Sequence, residues 1–283
     1  MRMGRDDVLR ANLRVYERMA HSGDPLCRPA ADKDLRDPLA TVDAAGWLGG
    51  DIAGQRILCL AAGGGRQSAL YAAAGADVTV VDLSPAMLEL DRRVAAERGL
   101  SLRLVQTSMD DLSALGESEF DVVVHPVSSC YLPDVRAVYR QVARVLRQGG
   151  VYISQHKTPA SLQASTRPTA AGTYELRHRY YRDDPVPPPD GDDPVAFRLR
   201  ERGAIEFLHR WEELIGGMCR AGFVIEDLVE PMHAKPDAEA HSFAARAGFV
   251  PPYVRIKARR RGPGDPPAGS SRKSLWIPGP GDG

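Results

Sequence analysis

Short apolar runs alternate with longer amphipathic stretches through most of this chain, and the alternation sets in near Arg56. Residues 57–60, 78–81, 102–105, 120–124 and 151–154 are brief, continuous and rich in branched aliphatic side chains, the pattern of strands buried on both faces. Between them, residues 67–74, Pro85–Arg98 and 135–147 carry helical periodicity, the last closed by Gly149-Gly150. Strands alternating with helices imply βαβ units, and therefore a parallel sheet with right-handed crossovers. Further on, the pattern predicts a helix over residues 205–220 and strands at Phe223–Val229 and 253–258. No clear crossover helix precedes the last strand, which suits an antiparallel edge pairing.

Three stretches fall outside this rhythm. Val8, Leu9, Leu13, Val15 and Met19 recur at helical spacing, and a Pro- and Asp-punctuated stretch follows to Trp47, so residues 1–50 read as a helical cap on the main domain, 51–258. Within that domain, Pro185-Val186-Pro187-Pro188-Pro189 and Asp190-Gly191-Asp192-Asp193 exclude a central strand or helix, marking an insertion over about residues 160–204. From Arg259, Gly, Pro and Ser dominate and predict a disordered tail, 259–283, with Arg259-Arg260-Arg261 as solvated charge.

Composition removes several function classes. Lys and Arg number 37 and so do Asp and Glu, which leaves no global field to draw the chain to nucleic acid or to an anionic membrane. The four cysteines lie far apart with no metal-ligand spacing, and the seven histidines form no HExxH pair, so no metal is expected. No apolar run is long enough to span a bilayer, and residues 1–7 lack the apolar stretch of a signal peptide. The expectation is a soluble, cytoplasmic protein.

The candidate chemistry begins where the first strand, Ile57-Leu58-Cys59-Leu60, runs into Ala61-Ala62-Gly63-Gly64-Gly65-Arg66 and then a helix. Backbone that passes close to a nucleotide needs residues without bulky side chains, and the end of a first strand is where open α/β sheets bind ligands. A dinucleotide turn wants Gly-x-Gly-x-x-Gly; in the two possible registers the third position is Ser68 or Arg66, and neither suits. Arg66 fits a wider loop that curves around a methionine moiety and clasps no pyrophosphate. Asp82, at the end of the second strand, can accept hydrogen bonds from both ribose hydroxyls, while Ser84 already suffices to cap the next helix.

With these parts in order, the chain resembles the class I, Rossmann-like S-adenosylmethionine-dependent methyltransferases over roughly residues 50–258. Residues 57–65 match the first motif, Val80-Val81-Asp82-Leu83-Ser84 the ribose-binding strand end, and Met109-Asp110-Asp111-Leu112 the segment after the third strand. Phe120-Asp121-Val122-Val123-Val124, Arg144-Val145-Leu146-Arg147-Gln148-Gly149-Gly150 and Arg220-Ala221-Gly222-Phe223-Val224-Ile225 continue the series. The resemblance implies a mixed seven-stranded sheet with helices on both faces, a helical cap and an inserted lid. It implies cofactor contacts at Ala61, Ala62, Gly63, Gly65, Gln67, Asp82, Leu83, Met109, Asp110 and His125, with Asp110 and Met109 flanking the adenine. Two positions depart: Cys59 stands where the family has an acid and Ala61 where it has a glycine, so another residue must orient the loop or the cofactor's amino group.

Methyl transfer is an in-line displacement on an activated carbon, so the protein chiefly aligns the acceptor and, where needed, takes its proton. The resemblance places His125-Pro126-Val127-Ser128-Ser129-Cys130-Tyr131 beside the methyl group. His125 is a candidate base or else a buried scaffold residue, and His156 invites the same two readings. The segment from Tyr174 to Arg182, with Tyr180, is either a substrate lid or an amphipathic hairpin with a solvated basic face. His209 sits where ubiquinone-type small-molecule methyltransferases face substrate, and Tyr16 is a candidate to close over the cofactor. The expected activity is methyl transfer from S-adenosyl-L-methionine to a small molecule, giving S-adenosyl-L-homocysteine. The alternatives are an NAD(P)-dependent oxidoreductase on a doubly wound sheet and a non-catalytic adenosyl-nucleotide-binding protein.

Overall fold

A computed structural model describes residues 3–189 and 194–265. In chain order, α1 (Arg5–Ser22) and the short α2 (Pro38–Val42) precede β1 (Arg56–Leu60), α3 (Gln67–Ala73), β2 (Asp77–Asp82), α4 (Pro85–Arg98), β3 (Leu102–Gln106) and β4 (Phe120–His125). Then come α5 (Val135–Val145), β5 (Leu146–Lys157), α6 (Pro159–Gln163), α7 (Pro194–Leu199), α8 (Gly217–Arg220), β6 (Phe223–Val229), α9 (Phe243–Ala247) and β7 (Tyr253–Arg260).

The seven strands form one sheet ordered β3-β2-β1-β4-β5-β7-β6. The first five pair in parallel and β7 runs antiparallel to both neighbours. The two-residue alternation of a strand divides β1 between two cores. Leu58 and Leu60 pack with Val123, Tyr139, Val142, Tyr152 and Met218 on one face. Ile57 and Cys59 pack with Tyr71, Val78, Val80 and Leu88 on the other. On α5, Val138, Tyr139, Val142 and Val145 are all fully buried, each contributing about 1.5–3 kcal/mol of apolar burial.

Four details differ from the sequence pattern. The last strand is antiparallel but interior, because β6 adds outside it; Val254, Ile256 and Ala258 are fully buried. The helix expected from residue 205 begins at Trp211, with a π-type turn over Glu212–Gly216 leading into α8. Residues 205–210 stay extended because their backbone groups are used elsewhere: Ile205 N–H donates to Asn12 Oδ1 (2.7 Å), Phe207 N–H to the Cys130 carbonyl (2.7 Å), and the Glu206 carbonyl accepts from Val186 N–H (2.7 Å). β5 starts as early as Leu146, directly after α5, and turns at Gly149, whose φ of +72° is left-handed. β7 runs to Arg260, past the expected start of a disordered tail, and Arg259 pairs with Glu226 (2.7 Å) and Asp265 (2.9 Å). The rest of that tail, 266–283, lies outside the described residues, as do 190–193 of the insertion.

Candidate functional site

The ends of β1, β2 and β4 and one face of α1 enclose a cavity of about 490 Å³, within the range of small-molecule sites. Helix α1 supplies Leu9, Asn12, Leu13 and Tyr16 to its wall. The helix is fixed there by polar contacts: Glu17 Oε1 accepts from Ser84 Oγ (2.5 Å) and Ala86 N–H (3.1 Å), and Asn12 Nδ2 donates to the Tyr131 (3.2 Å) and Ile205 (3.1 Å) carbonyls. The expected helical cap is therefore one side of the cavity.

Ala61, Ala62, Gly63 and Gly64 form the floor at one end. Ala61 has φ +48°, a left-handed conformation that costs an L-residue roughly 1–2 kcal/mol and is free to glycine. At Gly63 a Cβ would lie 2.7 Å from Met87 Cβ and 2.9 Å from Asp82 Oδ2, so only glycine fits between loop and α4. Two carboxylates hold this loop. Asp82 Oδ2 accepts from Gly63 N–H and its Oδ1 from Ser84 N–H, both at 2.9 Å, leaving lone pairs for a ligand. Asp91 on α4 accepts from Gly64 N–H (2.9 Å), Gly65 N–H (3.1 Å) and Ser68 Oγ.

Asp91 thus supplies the loop with the acid that Cys59 does not. Burial pushes its carboxyl up to about 6, against the Ser68 and glycine hydrogen bonds that favour the ionised form. Burial, with the nearby Asp91 charge, pushes the Cys59 thiol far up, so it stays neutral. Burial also raises Asp82 above the ordinary carboxylate value, opposed by the N–H groups of Ser84 and Gly63.

The far end of the cavity is lined by Tyr16, Tyr131, Gln155, Glu201 and Tyr253. Tyr16 and Tyr131 meet edge to face with centroids 5.6 Å apart. Tyr131 Oη donates to Glu201 Oε2 (2.5 Å), and the same oxygen takes the Lys157 ammonium (3.0 Å). Lys157 also pairs with Glu206, and Arg200 closes the cluster on Glu206. Two cations balance two anions here, and Lys157 and Glu206 are almost wholly buried. Burial would raise the Glu201 carboxyl, but the Lys157 charge and the Tyr131 hydrogen bond outweigh it and hold it below its ordinary value. Burial would likewise lower Lys157, and the charges of Glu201 and Glu206 reverse this and keep it protonated.

The residues expected from sequence divide cleanly. Ala61, Ala62, Gly63, Gln67, Asp82, Leu83 and Met109 come together on the cavity wall, and so does Tyr16. Six expected residues do not line it. Gly65 is buried beneath the loop, its N–H committed to Asp91 and a Cβ there placed 2.8 Å from Val94. Asp110 is held by Arg5 at 2.6 and 2.7 Å and by Ser108; burial acts to raise its pKa, and those bonds outweigh it and leave it below the ordinary value. His125 is buried, fixed between Tyr152 Oη and Ser128 Oγ at 2.7 Å each, and burial lowers it to about 3. A base must be reachable by the acceptor, and His125 does not line the main cavity, so it is a scaffold residue. It borders a smaller cavity of about 90 Å³, which shares Gln67, Pro126 and Gln155 with the main one.

His209 donates through Nε2 to the Ser129 carbonyl (3.0 Å) and is buried, which lowers its pKa. His156, bonded to Ser129 and Ser154, is likewise depressed by burial. Tyr180 packs with Leu162, Val186 and Leu208 and accepts the Trp211 N–H (3.1 Å). The surrounding segment lines a separate open groove from Arg177 to Asp184; of the described insertion, Glu201 alone reaches the main cavity.

Sequence reasoning missed Asp91, Glu17, Glu201 and Lys157. Asp91 had a signal, since it sits in the stripe Met87, Leu90, Val94 of α4, where an acid needs a buried partner. Lys157, ending an apolar strand, carried a weaker one. Nothing local marks Glu201, which follows a proline-rich stretch and gains its place only through the fold.

Residues 58–154 match the methyltransferase domain family. The chain is 38% identical over 179 residues to YbaJ of Bacillus subtilis, an uncharacterized methyltransferase, covering 63% of this chain and 69% of that protein. It is 34% identical over 113 residues to the ubiquinone biosynthesis O-methyltransferase of Xanthomonas oryzae, 39% of this chain but only 47% of that one. Among solved structures, an S-adenosylmethionine-dependent methyltransferase of Mesorhizobium loti superposes with TM-score 0.60 at 25% identity, over 77% of this chain and 99% of the other.

Proposed function

The chain belongs to the class I, Rossmann-like S-adenosylmethionine-dependent methyltransferases, and from that premise we propose that the cavity binds S-adenosyl-L-methionine beside the glycine loop and admits a small-molecule acceptor at the Glu201 end. The observation that carries this reading is the joining of two unlike halves in one cavity: a side-chain-poor loop with a carboxylate at one end, and a tyrosine–glutamate–lysine cluster at the other. The loop fits an adenosyl ligand. Its glycines leave the floor open, Asp82 has lone pairs for two ribose hydroxyls, and the Met109 side chain lines the wall where an adenine ring would pack.

When bound, S-adenosylmethionine supplies a methyl group on a sulfonium, already activated for displacement. This chain's own part is to hold both molecules and to manage a proton. Glu201, ionised and anchored through one oxygen by Lys157 and Tyr131, is the group placed to take the proton of a hydroxyl or amine acceptor. Leu9, Leu13, Tyr16 and Tyr253 give the acceptor apolar walls that exclude water. No helix of the described residues is long and apolar enough to cross a membrane.

The test is transfer of a labelled methyl group from S-adenosylmethionine to components of a metabolite extract. The expected result is label in discrete small molecules, with Glu201→Gln failing to transfer while retaining S-adenosylhomocysteine affinity. Saturable NADPH binding without S-adenosylhomocysteine binding would sink the proposal.

A further inference from the structure

Resting on the reading of this cavity as an S-adenosylmethionine site, we propose that Arg66 and Gln67 recognise the amino-acid end of that ligand, Arg66 pairing with its carboxylate and Gln67 Oε1 accepting from its ammonium. Both residues line the cavity at the glycine-loop end, and Gln67 also borders the cavity of about 90 Å³ beside it. They follow directly on the loop that Asp82 holds through the Gly63 N–H, the carboxylate proposed above to meet the ribose.

Each carries an unmet valence. Gln67 Oε1 is buried and accepts no hydrogen bond among the described residues. A buried acceptor left without a donor is destabilising, and native structures seldom keep one without a use. Arg66 is the one cation among the described residues that line the cavity; the others with charge are Asp82 and Glu201. Its guanidinium is exposed and makes no ion pair or side-chain hydrogen bond with the described residues, whereas Arg5, Arg98 and Arg103 are paired with carboxylates.

The neighbouring acids leave this task open. Cys59 is wholly buried and neutral, so it offers the ammonium no charge. Asp91 is also wholly buried, and its two oxygens are taken by Gly64, Gly65 and Ser68. A planar guanidinium matches a carboxylate in a two-pronged pair, and an amide oxygen is a sufficient partner for an ammonium. One cation and one neutral acceptor side by side complement a zwitterion. Side chains supply this recognition, since α3 has only seven residues.

The consequence is a specificity. The site distinguishes S-adenosylmethionine and S-adenosylhomocysteine from adenosyl thioethers that lack the amino-acid group. Calorimetry on the full chain tests this with three probes: S-adenosylhomocysteine, decarboxylated S-adenosylmethionine (ammonium but no carboxylate) and 5′-methylthioadenosine (neither). Arg66→Ala should weaken S-adenosylhomocysteine by about 10- to 100-fold and leave the other two within about twofold. Arg66→Lys should restore part of the loss. Gln67→Leu should weaken the first two probes by about 5- to 10-fold and spare 5′-methylthioadenosine.

Equal loss for all three probes in Arg66→Ala, which marks damage to the loop, overturns the proposal. So does unchanged S-adenosylhomocysteine affinity. A wild-type chain that binds S-adenosylhomocysteine no better than 5′-methylthioadenosine overturns this assignment alone. One that binds none of the three overturns the adenosyl reading beneath it as well.

Discussion

The two ends of the cavity are built by different means. The glycine-loop end is made of backbone: Ala61 to Gly64 present little but main chain, and two carboxylates, Asp82 and Asp91, fix it through N–H groups. The Glu201 end is made of side chains drawn from far apart, Tyr16 on α1, Tyr131 after β4, Lys157 at the end of β5 and Glu201 after α7, with no backbone motif in common. A ligand shared by a whole family suits the first construction, because backbone geometry tolerates change in surrounding side chains. An acceptor peculiar to one member suits the second, where single substitutions re-aim the chemistry.

Substitutions at each end should separate these roles, and the largest effect is expected at Glu201. Glu201→Gln should lower methyl transfer by about 100-fold or more, the scale of a lost general base, with S-adenosylhomocysteine affinity within about twofold of wild type. Rate assays paired with calorimetry check both halves of the statement. Asp82→Ala should do the opposite, weakening S-adenosylhomocysteine by roughly 100-fold through loss of charge-assisted hydrogen bonds to the ribose and slackening of Gly63. If the two variants exchanged phenotypes, the division of the cavity would be wrong.

A smaller effect is expected from Asp91, and it depends on pH. Its folded pKa, near 6, lies above the unfolded value of about 3.9, so the folded state holds the proton more tightly. The stability this contributes is fully present below about pH 4 and is lost as pH rises through 6. Denaturant titrations at pH 4 and 7 should therefore show wild type losing about 1–3 kcal/mol relative to Asp91→Asn over that interval. A constant difference between the two proteins would mean that Asp91 ionises normally. The smallest effect is expected at Ala61→Gly, where relief of the left-handed conformation should raise stability by no more than about 1 kcal/mol, read as a rise in Tm of a few degrees.

The same contrast explains what could be read from the sequence. The strands and the glycine turn depend on neighbours within a few residues, so the apolar runs and Ala61-Ala62-Gly63-Gly64-Gly65 were legible, as was Asp82 at a strand end. The ion pair that holds Asp110 off the cavity wall could not be read, because its partner, Arg5, lies 105 residues away on α1. His125 drew attention as a titratable group, yet burial between Tyr152 and Ser128 removes it from acid–base work. The helix expected from residue 205 failed for a related reason, since Asn12 and Cys130 claim the backbone that a helix would need. Glu201 was invisible because its meaning comes wholly from Lys157 and Tyr131, 44 and 70 residues distant.

The most direct test of the account is calorimetric titration of S-adenosylhomocysteine into wild type and Asp82→Ala, with NADPH titrated in parallel. The account predicts one saturable S-adenosylhomocysteine site per chain, weakened about 100-fold by the substitution, and no NADPH binding. Tight NADPH binding, or S-adenosylhomocysteine binding indifferent to Asp82, would contradict it.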